Sequence, residues 1–160
     1  MTGAAANGHG PIVIERRVLL DNAHAFRKWC MENGGPASLP EWEEWEPHVT
    51  VLYSASNLPW PTLEEDELTV EIVGHLIPLR GNLLGLPVKS SVLAHRHFSL
   101  RDAGWRFDFA GYRPHVTRWR QFKGGGIPKP FEGVLRLGPE RAKTPKRFRG
   151  GFTPKVDIPF

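Results

Sequence analysis

Cysteine is nearly absent: Cys30 stands alone in 160 residues. An internal disulfide is excluded, as is any cysteine-based zinc site, and a reducing compartment is the natural home. No apolar run approaches the roughly 20 residues of a membrane-spanning helix. Residues 1–10 lack the basic-then-apolar pattern of a secretion signal and read as a disordered lead-in of small residues. These absences lead us to expect a cytoplasmic protein. Gly124-Gly125-Gly126 lacks the trailing Lys-Ser/Thr of a nucleotide P-loop and precedes no evident helix, so it reads as a flap or a plain hairpin tip. No carboxylate cluster suggests a metal site, and neither metal nor other cofactor is expected.

What is present fits one domain spanning residues 1–160, long enough to bury a core without staples. Hydrophobic residues make up 40% and charged residues 24%, as in ordinary globular proteins. Charge is divided unevenly. Residues 1–80 carry five Lys/Arg against twelve Asp/Glu, and residues 81–160 carry sixteen against five. A polyanionic partner held mainly by the second half would account for that asymmetry.

The chain opens with a β-branched stretch, residues 12–20, that reads as a strand. Asp21 or Asn22 can cap a following helix with Phe26, Trp29 and Cys30 on one face, ending at Gly34-Gly35-Pro36. An acidic turn, residues 41–46, carries Trp42 and Trp45. Residues 54–61 form a loop holding Trp60, residues 68–79 return to strand character, and residues 81–85 turn into a short strand over 86–89. A second helix is expected from Ser91 to Ala103. It carries His95 and His97, which diverge on a helix and make a poor metal clamp; they read as surface or partly buried. A turn over residues 105–112 leads to a strand over 114–120, a last strand covers 133–141, and residues 142–160 form a basic C-terminal arm.

One tetrapeptide occurs twice. Pro47-His48-Val49-Thr50 and Pro114-His115-Val116-Thr117 lie 67 positions apart, each entering a strand. Strand residues two apart share a face. His48 and Thr50 therefore project together, as do His115 and Thr117, while the valines go the other way. Paired imidazoles suit acid–base chemistry, because histidine titrates near neutrality and one copy can be neutral while the other is charged. Threonine hydroxyls beside them can donate hydrogen bonds to an oxyanion, where charge builds up in a transition state.

Paired His-x-Thr strands resemble the two-histidine (2H) phosphoesterase superfamily. The wider wording, Pro47 to Ser54 and Phe107 to Thr117, looks most like the phage anti-CBASS nucleases, which destroy cyclic-oligonucleotide alarm signals, and their prophage relatives. The likeness runs over residues 45–138 and departs at Arg118, where the family usually has an apolar residue. It implies a phosphodiesterase for cyclic di- or trinucleotides with His48, Thr50, His115 and Thr117 as catalytic residues. Tyr112, Trp119 and Trp60 are candidates for stacking on bases. The internal duplication fits an α+β fold with two antiparallel sheets flanking a central cleft. The resemblance implies that same bilobed arrangement, with helices packed outside. Two other readings stand beside it: an RNA 2',3'-cyclic phosphodiesterase using the same four residues, and a non-catalytic nucleic-acid-binding module built on the basic second half.

Overall fold

The computed structural model describes residues 8–19, 24–32, 46–73, 76–79, 83–107, 109, 111–120 and 131–145. Among these residues, seven strands and two helices run in the order β1 (Ile12–Val18), α1 (His24–Glu32), β2 (His48–Ser54), β3 (Leu68–Ile72), β4 (Ile77–Pro78), β5 (Leu83–Lys89), α2 (Ser91–Asp102), β6 (His115–Arg120) and β7 (Val134–Lys143).

The bilobed two-sheet α+β arrangement is not what these strands form. They make one antiparallel sheet in the order β3-β7-β1-β2-β6-β5-β4, and a further β3–β5 pairing closes six of them into a barrel. The described residues are mostly sheet, with two short helices. Closure follows from strands with partners on both edges: β7 pairs with β1 and β3, and β5 pairs with β6, β4 and β3. Joining the ends of a curled sheet removes exposed edges. The duplicated halves read from the sequence thus share one hydrogen-bonded wall instead of facing each other as separate sheets.

Local chemistry sets the helices. In α1, Phe26, Trp29 and Cys30 are buried as their spacing predicts, and Phe26 and Trp29 pack on Phe131 just before β7. Helix α2 begins where Ser90 Oγ accepts the Leu93 amide at 3.2 Å. It ends with the Trp105 amide on Leu100 O and the Gly104 amide on Arg101 O, a Schellman closure. Gly104 at φ 109° supplies the left-handed turn, and Trp105 buries itself with Leu100. Arg96 ties α2 to β7 through two hydrogen bonds of 3.0 Å to the buried carboxylate of Glu140.

Several element boundaries differ from the sequence reading. The strand character of residues 68–79 is split into β3 and β4, β5 starts before residue 86, and β7 continues to Lys143, into the expected arm. Gly8 to Gly10 are held in place: the Trp60 amide donates to Gly8 O and the Gly10 amide to Leu58 O. His97 is completely buried, whereas His95 is exposed. The caps at Asp21 and Asn22, the break at 34–36, residues 41–45, the loop at 124–126 and residues 146–160 lie outside the described residues. Among the described residues no helix is long and apolar enough to cross a membrane.

Candidate active site

The two tetrapeptides become neighbours. Strands β2 and β6 pair antiparallel at Val49↔Val116, and both valines are fully buried. Continuing that register one residue each way sets Thr50 across from His115 and His48 across from Thr117. Alternation then turns His48, Thr50 and His115 away from the valine face. The side chains of Thr117 and Trp119 lie outside the described residues, although the backbone of Thr117 pairs with Gly85 of β5.

Each histidine is held in the same way. His48 Nδ1 lies 2.9 Å from Glu46 O, and His115 Nδ1 lies 2.8 Å from Arg113 O, both carbonyls two residues back across a proline. A carbonyl oxygen only accepts, so Nδ1 carries the proton in both rings and Nε2 is left as the atom that takes up or releases one. Glu46 reaches this geometry at φ 46°, a left-handed conformation that costs energy in a residue with a side chain. Gly85 packs against His115: a Cβ there would sit 3.1 Å from its Cδ2 and 3.2 Å from atoms of Ile77 and Leu79.

Beside His48 is a buried anion. Glu15, in the middle of β1, has no exposed side-chain surface, and its Oε2 is 3.2 Å from His48 Nε2 without meeting hydrogen-bond geometry. Its Oε1 accepts from Arg141 Nε at 2.8 Å and lies 2.7 Å from Arg141 Nη2 and 3.2 Å from Lys143 Nζ. Burial pushes the Glu15 carboxyl up. His48, Lys143 and Arg141 pull it down and prevail, so it titrates below the usual carboxylate value. Arg17, across from His48, pairs with Glu46 at 3.4 Å.

Beneath Thr50 the β1–β2 ladder skips Val51: Ile14 faces Leu52 while Glu15 faces Thr50. Such a bulge removes ladder partners from nearby peptide groups. Two side chains bond to carbonyls there. Tyr112 donates its hydroxyl to Thr50 O at 3.0 Å, and His97 Nδ1–H donates to Val51 O at 2.8 Å. Their rings stack at 4.0 Å, and burial lowers the pKa of His97 and raises that of Tyr112.

Of the predicted base contacts, Tyr112 thus lies in the layer under β2. Trp60 packs on the core and donates its indole N–H to Gly10 O at 3.1 Å. As residues of the site, Glu15, Arg141, Lys143 and Gly85 escaped the sequence reading, and His97 was read only as a surface or partly buried residue. The one signal was Glu15 itself, a charge directly after Ile12-Val13-Ile14. Among the described residues no three His, Cys, Asp or Glu side chains gather as a metal-ion set.

Fold and site define a small closed antiparallel barrel with two carbonyl-locked imidazoles on adjacent strands, one beside a buried carboxylate. The chain belongs to the anti-CBASS protein Acb1 family, whose model matches residues 11–143. It is 32% identical over 143 residues to the anti-CBASS protein Acb1 of Caulobacter sp. (strain RHG1), covering 81% of this chain and 22% of that protein. It is 30% identical, with the same coverage, to the anti-CBASS protein Acb1 of Sphingomonas paeninsulae. The chain therefore spans about a fifth of the length of these curated relatives.

Proposed function

We propose that this chain is a metal-independent phosphodiesterase of the 2H type that opens 3',5'-linkages in cyclic di- or trinucleotides. In that role it would remove the signals of an antiphage defence in the bacterial cytoplasm. The observation that carries the reading is the pairing of the two tetrapeptides about Val49 and Val116, with both Nδ1 atoms held by backbone carbonyls. The family supports the anti-CBASS role.

One of His48 and His115 accepts the proton of a ribose 2'-hydroxyl at Nε2. The 2'-oxygen attacks phosphorus, the bond to the 5'-oxygen breaks, and the other imidazole protonates the leaving oxygen. A 2',3'-cyclic phosphate results, which water then opens to a 3'-phosphate. Thr50 and Thr117 donate hydrogen bonds to the non-bridging oxygens.

The test is incubation with EDTA of wild type, His48→Ala and His115→Ala against cyclic di- and trinucleotides and a linear RNA ending in 2',3'-cyclic phosphate. Products are read by mass spectrometry. Both histidine variants should lose ring opening, and Thr50→Ala should lose on the order of 10²–10³ in rate, as for one oxyanion donor. Turnover surviving in both histidine variants would overturn the scheme. Opening of the RNA end alone would assign the site to RNA processing, and binding without cleavage of any substrate would make it a nucleic-acid-binding module.

A further inference from the structure

We infer that Arg141 and Lys143 form a second anion subsite, which takes a phosphate of the substrate other than the one being cut. This rests on the phosphodiesterase reading and deepens it by naming the residues that hold a second phosphodiester group of the substrate. Strand β7 sets both residues two apart beside β1, with Arg141 across from Glu15 and Lys143 across from Val13. Both reach Oε1 of Glu15, whose other oxygen faces His48 Nε2. A single carboxyl group therefore separates the two cations from the imidazole. A ring that places one phosphate at His48 necessarily carries another anion nearby.

Neutralising Glu15 does not account for the whole cluster. Three cations, Arg17, Arg141 and Lys143, surround two carboxylates, Glu15 and Glu46, before His48 is counted. The Arg141 side chain is 35% exposed and that of Lys143 55%. Guanidinium has five N–H donors and ammonium three, so both keep donors beyond those given to Glu15. The buried carboxylate holds them in place, which lowers the entropy lost when they close on an anion.

The full chain is titrated calorimetrically with a cyclic 2'-deoxydinucleotide, which has no 2'-hydroxyl to attack its phosphates, and separately with a 2'-deoxynucleoside 3',5'-cyclic monophosphate. Salt is varied from about 50 to about 200 mM. Lys143→Gln should weaken binding of the two-phosphate probe and make that binding less sensitive to salt, since one screened charge pair is lost. Binding of the one-phosphate probe should not change. Arg141→Gln should act likewise, and Arg141→Lys should restore the salt sensitivity. Thermal melts of each variant verify folding, and Lys143→Gln, at an exposed position, keeps the test open if Arg141→Gln does not fold. Equal losses for both probes, loss for neither, or no binding of the two-phosphate probe by wild type would overturn the subsite. Binding does not require turnover, so a chain that cleaves nothing but shows the two-phosphate salt sensitivity would retain the subsite and lose the catalytic reading.

Discussion

A carboxylate removed from water must be compensated by cations or by protonation. Glu15 is compensated by Arg141 and Lys143, and their pull, together with that of His48, sets its pKa below the ordinary value of 4.5. A depressed folded-state pKa means that the unfolded chain binds the proton more readily. The stabilisation is therefore complete above 4.5 and is lost as pH falls through the folded value. Replacing Glu15 with Gln should cost about 1.5–3 kcal/mol near neutrality, as for hydrogen bonds to a charged group, because the partly exposed Arg141 and Lys143 can rehydrate. In urea denaturation across pH, the gap between wild type and variant should hold constant above 4.5 and narrow in acid. A gap that does not change in acid would contradict an ionised Glu15. The histidines were legible as residues because a repeated tetrapeptide needs no tertiary information. Glu15 was not, because its charge sits in a strand otherwise read as packing.

At the scale of elements, the bulge in β2 depends on groups carried by other parts of the chain. Helix α2 supplies His97, and the segment before β6 supplies Tyr112. The two bond to successive carbonyls of the motif strand. Tyr112→Phe keeps the ring stack and removes the donor to Thr50 O. Leaving that acceptor unsatisfied should cost about 1–3 kcal/mol. Because Thr50 and His48 share the strand, turnover of the proposed substrate should fall more than KM rises. Steady-state kinetics beside urea melts decide this; lost stability with kcat unchanged would show that the bulge does not position the motif. The extent of α2, expected from Ser91 to Ala103, was readable to within a residue, since helix ends use local chemistry. His97 was misplaced because the sequence does not mark which side of a short helix meets the sheet.

For the molecule as a whole, the barrel is joined unevenly. Strands β1 and β2 pair over six residue pairs, whereas the β3–β5 closure has two, Glu71↔Lys89 and Ile72↔Val88. Cooperative units with few pairs open below the global unfolding energy. In native-state hydrogen exchange, the amide of Val73, which donates to Pro87 O at 3.1 Å across that closure, should exchange well before those of Val13 and Ile14. Equal protection at both places would mean that the barrel opens only by unfolding completely. The expected two-sheet architecture failed at this scale. Strand existence and the internal duplication were visible in the pattern of residues, but a pattern does not say which edges find each other. Here β3 and β7 meet across more than sixty residues, and so the two halves fuse into one wall.

The sequence by itself determined the repeated motif, its alternation in a strand, the buried face of α1, the ends of α2 and the charge asymmetry between halves. All of these depend on neighbours a few residues apart or on composition. Only the tertiary structure decided that the two motifs lie side by side, that six strands close into a barrel, and that Glu15 joins His48 to Arg141 and Lys143. Those facts rest on contacts between residues as much as 130 positions apart, as for Val13 and Lys143. Such contacts depend on strand order and edge pairing, which local propensity does not encode.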